Sequence, residues 1–386
     1  MSTKCFGLDY RTGSPLLLEF SEAIETVDDW TGPTEGIDTY LAPGFIDLQV
    51  NGFAGVDYCS PHSPLEEIAR SIDVQLATGV TRIFPTVITG SEADMQGAFR
   101  NLARAKRSLP LGQVFEAIHA EGPFISAEDG PRGAHPVAQC RPPAIEEWRR
   151  MQDAAEGEIR LLTLSPEYEG SARFIEQVVS EGVVVSIGHT KATAEQIADA
   201  VRAGASMSTH LGNGAHAILP RHPNYIWEQL AEDRLTASFI ADGIHLPASF
   251  LKVALRAKGI ERSVLVTDAV MPAGCEPGDY QLGEVPVTLH PAGKVTLRDG
   301  NRLAGSALRM DAGVSNLMRL AGLSLRDAVT MATINAARAG RLGGRMRGLN
   351  PGERADLVEF RFEAQTRTID VQRTWISGQL AYDKRR

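Results

Sequence analysis

Val114-Phe115-Glu116-Ala117-Ile118-His119-Ala120-Glu121-Gly122-Pro123-Phe124 decides how the rest of the chain is organised. Apolar residues fill 114–118 apart from Glu116, which predicts a buried strand over 114–120, and Gly122-Pro123 stops it. Side chains two apart on a strand share a face. His119 and Glu121 therefore point the same way at the strand's C-terminal end. A charged residue at such an end also serves plain turns as a salt-bridge partner, so the strand ends further along carry the decision.

Working outward, the same unit repeats. Short apolar runs at 45–50, 80–86, 114–120, 160–164, 183–188, 205–209, 236–241 and 263–267 alternate with helix-sized segments, for example 64–78, 91–107, 170–181 and 193–203. Eight βα units over this length predict a (β/α)8 TIM-like barrel. A doubly wound sheet alternates similarly, but the number eight and the polar residues recurring at strand ends favour the barrel. Residues 1–40 suggest short antiparallel strands with turns at Thr12-Gly13 and Thr31-Gly32-Pro33. Residues 276–300, punctuated by Gly283, Pro286, Pro291-Ala292-Gly293 and Asp299-Gly300, suggest an inserted hairpin region. Helices are expected at 309–321 and 324–339, and strands within 348–360 and 373–379. The simplest organisation joins residues 1–42 and 346–386 in a small β-sandwich domain beside a barrel at 43–345.

The composition allows a large core: 386 residues, 43% hydrophobic and 23% charged. A net charge of −9 argues against general binding to nucleic acid or anionic membrane. An anionic small substrate would need a local positive pocket. Cys5, Cys59, Cys140 and Cys275 form no CxxC pair, so a disulfide framework and a zinc ribbon are both disfavoured and a reducing cytoplasm is expected. No secretory leader and no apolar run of about 18 residues is seen.

The strand ends carry the chemistry. The third ends in Glu121, the fifth in Gly188-His189-Thr190, the sixth in Thr209-His210-Leu211 and the eighth in Thr267-Asp268-Ala269. In a barrel these ends converge on one face. Glu121, His189 and His210 form a three-ligand set for a catalytic divalent metal with a position left open. A carboxylate beside such a metal, here Asp268, can take a proton from water and return it to a leaving group. Past the seventh strand, Asp242-Gly243-Ile244-His245 places an imidazole that could donate to a substrate carbonyl or oxyanion.

These motifs resemble the N-acetylglucosamine-6-phosphate deacetylase family of the amidohydrolases. The resemblance rests on Pro-Gly-Phe-Ile-Asp at 43–47, His-Ala-Glu-Gly-Pro-Phe at 119–124, Gly-His-Thr at 188–190 and Thr-His-Leu at 209–211. It continues with Ala-Asp-Gly-Ile-His at 241–245, Thr-Asp-Ala at 267–269, Leu-Ala-Gly-Ser-Ala-Leu at 303–308 and Pro-Gly-Glu-Arg-Ala-Asp-Leu-Val at 351–358. It implies one divalent metal, most simply Zn2+, on Glu121, His189 and His210, with Asp268 as general base and acid. It also implies substrate contacts from His135, Asn213, Gly214, Arg221, Asp242, His245, Leu303, Ala304 and Gly305. Gln49-Val50-Asn51 stands where two-metal amidohydrolases carry His-x-His, which makes Gln49, Asn51 and His119 candidates for the layer around the ligands. No Lys stands near the end of the fourth strand to be carbamoylated. The implied activity is deacetylation of N-acetylglucosamine 6-phosphate by a cytoplasmic homodimer. Gly212-Asn213-Gly214-Ala215-His216, followed by Arg221-His222-Pro223, departs from the family's usual aromatic-Asn-Ala-Met and Arg-Glu-Pro-Gly. That leaves an epimeric or unphosphorylated N-acetyl sugar, or another N-acyl amine, as alternative substrates. A non-catalytic barrel is the remaining alternative, and it gives no reason for four matched polar strand ends.

Overall fold

The computed structural model describes residues 2–33, 35–282, 285–298 and 302–385. Among the described residues, eight parallel strands form one sheet in sequential order: Phe45–Val50, Val80–Ile88, Ile118–Glu121, Ile159–Leu164, Val184–Ile187, Met207–Ser208, Thr236–Ile240 and Ser263–Val266. The eighth strand's extension closes on the first: Asp268 N donates to Gln49 O (3.0 Å) and Asn51 N to Ala269 O (2.7 Å). This is the expected (β/α)8 barrel. Its strands are buried on both faces, so they read as continuous apolar runs rather than alternating ones.

Helices cover the outside through apolar stripes. Leu65–Leu76 buries Ile68, Ile72 and Leu76, spaced by four as one helical face requires. Its neighbour Glu92–Ser108 starts at Ser91, whose hydroxyl accepts from Asp94 N, and Ala194–Arg202 starts in a Thr193/Gln196 capping box. Among the described residues, no helix is long and apolar enough to cross a membrane.

The interior is layered. Phe84, Ala117, Leu161, Val184 and Met207 belong to one buried apolar cluster, one from each of units two to six. Two residues later in each unit, on the same face by strand alternation, stand Thr86, His119, Thr163, Ser186 and Thr209. Their polar atoms are hydrogen-bonded to one another across the barrel, as in Thr163 Oγ1–Thr209 Oγ1 at 2.7 Å and Ser186 Oγ–Thr209 Oγ1 at 2.6 Å. Above this polar layer lie the strand ends.

The two ends of the chain meet in a sheet ordered Gln379–Asp383, Thr368–Ile376, Leu357–Glu363, Thr39–Pro43, Thr3–Asp9, Pro15–Phe20 and Ile24–Asp29. The join is the antiparallel pair of Leu357–Glu363 with Thr39–Pro43. It is fixed to the barrel by Asp356, fully buried, which accepts from Arg82 Nε (2.7 Å) and Arg345 Nη1 (2.6 Å).

Several elements differ from expectation. The third strand begins at Ile118, because Gly112–Val114 forms a 3-10 turn and Glu116 turns outward to accept from Arg354 Nη2 at 2.7 Å. The sixth shrinks to two residues. The expected hairpin region is a four-stranded antiparallel sheet, Gly278–Leu282, Val285–Leu289, Lys294–Leu297 and Leu303–Ser306. Gly283 and Asp299-Gly300, expected as turns there, lie outside the described residues. The helix expected at 324–339 is two, parted at Thr333, whose ψ of −89° is non-helical.

Candidate functional site

Glu121 is the last residue of its strand, and its Oε1 lies 3.0 Å from His189 Nε2 and 3.0 Å from His210 Nε2. The two imidazole nitrogens are 3.1 Å apart, and all three side chains are buried. Donor atoms bound to a tetrahedral zinc at about 2.0–2.1 Å stand about 3.3 Å apart, so the triangle has the right size for one such ion. The ring of His189 is oriented from behind. Its Nδ1–H donates to the carbonyl of Pro131 at 2.8 Å, and since a carbonyl only accepts, Nε2 is the nitrogen left for the ion. Gly133 and Gly214 complete that cradle: a Cβ at Gly214 would stand 2.7 Å from His189 Nδ1. Burial pushes Glu121 up, but its two imidazole hydrogen bonds outweigh burial and hold it well below the usual carboxylate range.

Asp268 stands at the end of the eighth strand. Its Oδ1 accepts from Asn51 Nδ2 (2.6 Å) and Gln49 Nε2 (3.0 Å), which leaves Oδ2 outside those bonds. Burial, followed by the charge of Glu121, raises its pKa to about 6. Thus Gln49 and Asn51 bond the carboxylate rather than the imidazoles. Beneath it, Asp47 accepts from Thr267 N at 3.2 Å and from the Thr267 hydroxyl. This carboxylate locks the residue before Asp268 to the first strand. Asp47 closes the Pro-Gly-Phe-Ile-Asp motif without a role assigned from sequence; its position two before Gln49, on the same strand face, is the available signal.

The seventh unit supplies a second carboxylate–imidazole pair. Asp242 Oδ2 accepts from His245 Nδ1 at 2.6 Å, while its Oδ1 accepts from the backbone N–H groups of Ile244 and His245 at 2.8 Å each. His245 Nε2 is then the nitrogen available to a ligand. Burial raises Asp242, but the His245 hydrogen bond prevails and its pKa lies below the usual value.

The remaining candidates divide. His135 is buried with its ring centroid 4.3 Å from that of His189, and its Nδ1 has no partner among the described residues. Burial depresses it to about 3, so it is a neutral ring. Asn213 folds back on the ligand loop, Nδ2 donating to His210 O at 3.2 Å. Leu303, Ala304 and Gly305 lie on the last strand of the four-stranded sheet, which joins the Asp268 turn where Val270 N donates to Ser306 O at 2.9 Å. His119 sits one layer below, with Nε2 at 2.7 Å from Thr163 Oγ1, and burial lowers it to about 4. Arg221 is exposed, and its guanidinium has no partner among the described residues of this chain.

A profile of the Amidohydrolase family matches residues 40–381. The N-acetylglucosamine-6-phosphate deacetylase of Bacillus subtilis is 33% identical over 325 residues, covering 83% of this chain and 80% of that one. The N-acetylgalactosamine-6-phosphate deacetylase of Escherichia coli O157:H7 is 34% identical, covering 90% and 89%. Among solved structures, a mutant N-acetyl-D-glucosamine-6-phosphate deacetylase from Mycobacterium smegmatis, in complex with N-acetyl-D-glucosamine-6-phosphate, superposes with a TM-score of 0.87. It is 29% identical, with 99% of each chain covered.

Proposed function

The chain belongs to the amidohydrolase family and within it to the N-acetylglucosamine-6-phosphate deacetylases, and from that premise we propose that it cleaves the acetamide of N-acetylglucosamine 6-phosphate to acetate and glucosamine 6-phosphate. The observation that carries the reading is the convergence of Glu121 Oε1, His189 Nε2 and His210 Nε2 beside an amide-braced Asp268.

Glu121, His189 and His210 would hold a divalent ion, which would supply Lewis-acid polarisation of the acetamide carbonyl and activation of water. Asp268 takes the proton as water attacks the carbonyl carbon, a task that suits a carboxylate whose basicity burial raises. His245, steadied by Asp242, offers Nε2 to the developing oxyanion. Asp268 then returns its proton to the amine nitrogen as the C–N bond breaks. Gln49 and Asn51 keep the carboxylate aimed through both transfers. The buried polar layer and the buried His135 ring keep bulk water from below and beside.

Zinc is the ion we assign, from the two-imidazole, one-carboxylate donor set and the size of the triangle. We assign a cytoplasmic homodimer in which the exposed Arg221 serves the substrate phosphate of the neighbouring copy, which accounts for its lack of a partner among the described residues of its own chain. We also place the chemistry in a unit at 43–345, flanked by the terminal sheet. A second reading, the galactosamine epimer, is favoured by the Escherichia coli relative, as similar to this chain as the Bacillus one.

Acetate release by the zinc-loaded protein, assayed with both N-acetylhexosamine 6-phosphates and both unphosphorylated sugars, tests this. Release from the glucosamine ester above the other three is expected. Preference for the galactosamine ester selects the epimer, and release from none of the four refutes the reading.

A further inference from the structure

Outside the barrel, the loop after the first barrel strand and the helix Glu92–Ser108 enclose an open groove of about 420 Å³. Its walls include Pro61, His62, Gly97, Arg100, Asn101 and Arg104, with Asp94 at one end. Residues 93, 97, 100 and 104 fall on one stripe of the helix, so the two guanidinium groups rise from the same face. Like charges four apart disfavour a helix, and they are usually offset by acidic neighbours. The helix's other cations are offset in this way: Lys106 pairs with Glu158, and Arg107 with Glu156. Among the described residues, Arg104 instead donates only to the neutral Asn101 Oδ1, at 2.8 Å. The side chains of Arg100 and His62 have no partner among the described residues. Asp94 is turned to Ser91, whose hydroxyl donates to it at 2.5 Å. In a chain of net charge −9, three cationic or proton-bearing groups with no ion-pair partner among the described residues stand around one groove whose single carboxylate, Asp94, is engaged by Ser91.

The groove is preformed. Asn101, buried in the helix, donates through Nδ2 to Ser63 O at 2.9 Å, and the Ser63 hydroxyl donates to Asp57 O at 2.6 Å. Gly97 lets Pro61 rest on the helix: a Cβ there would stand 2.6 Å from Pro61 Cβ. Walls held in this way lose little freedom when a ligand arrives. Guanidinium forks are the side chains best matched to phosphate oxygens, and the volume lies in the small-molecule range of about 300–1,000 Å³. We propose that this groove is a second anion site, distinct from the metal cluster, that takes a small phosphorylated metabolite through Arg100, Arg104 and His62.

The test is site-resolved arginine modification by phenylglyoxal on the zinc-loaded enzyme, with inorganic pyrophosphate as the probe and peptides read by mass spectrometry. The groove and the metal cluster share no residue, so labelling read at Arg100 and Arg104 reports on the groove. At about ten times its Kd, pyrophosphate should slow labelling of Arg100 and Arg104 about tenfold, saturably. Arg100→Gln, an exposed change, should keep turnover and lose most of the protection at Arg104. Labelling unaffected by pyrophosphate overturns the proposal, as does labelling slowed equally by sodium chloride of the same ionic strength. Full protection of Arg104 in Arg100→Gln also overturns it.

Discussion

Asn51→Ala removes the shorter of the two amide hydrogen bonds to Asp268, 2.6 Å against 3.0 Å from Gln49. Both donors favour the ionised carboxylate, so loss of one raises the pKa. Hydrogen bonds to charged groups contribute about 1.5–3 kcal/mol, and one pKa unit is about 1.36 kcal/mol, so the rise should be about 1–2 units. From about 6 in the ion-free protein, Asp268 in the variant would then titrate at or above neutrality. A bound cation lowers this pKa in wild type and variant alike, so the displacement between them is the quantity to measure. The assay is kcat/KM for acetate release from pH 5 to pH 10, with metal content determined in parallel. The base must be ionised, so the acid limb should move to higher pH by that displacement. Activity well below the limb should fall about tenfold or more, while the alkaline plateau stays close to wild type. An acid limb that does not move, with metal content intact, refutes the argument that Asn51 tunes Asp268. A uniform loss at every pH with loss of metal would place Asn51 in support of the ion instead.

Asp268→Asn should keep the metal, because Glu121, His189 and His210 are untouched, and lose nearly all turnover; normal turnover would remove the general-base assignment. Asp242→Asn should lower kcat about 10–100-fold with metal content unchanged, since it removes the group that orients His245; steady-state kinetics beside metal analysis checks this. Asp356→Asn leaves Arg82 and Arg345 buried beside a neutral amide and should cost about 3–5 kcal/mol, read from urea unfolding. Burial raises Asp356, but Arg345 and Arg82 outweigh it, so its folded pKa lies below its unfolded value. The stability it contributes is therefore present above the unfolded value of about 4 and is lost as pH falls through the folded one. The variant should lack that part of the acid-side decline.

Residues whose partners are local or periodic were legible in the sequence. Each barrel strand falls within or beside its apolar run, and Glu121, His189, His210 and Asp268 mark strand ends that any (β/α)8 reading gathers on one face. The third strand was overextended because the apolar run from Val114 hides the pull on Glu116, whose partner Arg354 lies 238 positions along the chain. For the same reason Asp47 had no readable role, since Thr267 is 220 positions away. His119 looked like part of the ion's surroundings because it shares a face with Glu121. Only its contact across the barrel interior, Nε2 at 2.7 Å from the Thr163 hydroxyl of the fourth strand, assigns it to the hydroxyl layer below. The Pro131 carbonyl that orients His189 is a backbone atom in a loop, and no residue type announces it.

His189, His210 and Asp268 each stand two residues past the last regular residue of a strand, and each has positive φ: 49°, 29° and 49°. For a residue with a Cβ the left-handed region costs about 1–2 kcal/mol, with His and Asp among the types that visit it more often. Three such residues on one barrel face are a local expense that the rest of the fold must offset. The backbone shows what the conformation achieves. Asp268 N donates to Gln49 O, and His210 N to Ser238 Oγ at 2.8 Å, so each turn is held by the neighbouring strand rather than by its own extension. A strand continued in extended form would carry alternate side chains up and away from the axis. The left-handed turn instead folds the chain over the barrel mouth, and both imidazoles meet Glu121, which stays in its strand. Strain of this kind is expected where a site is built to hold side chains in one geometry before a ligand arrives. Its presence at these three strand ends is an argument for a preformed ion site that does not depend on the resemblance of the sequence to any other.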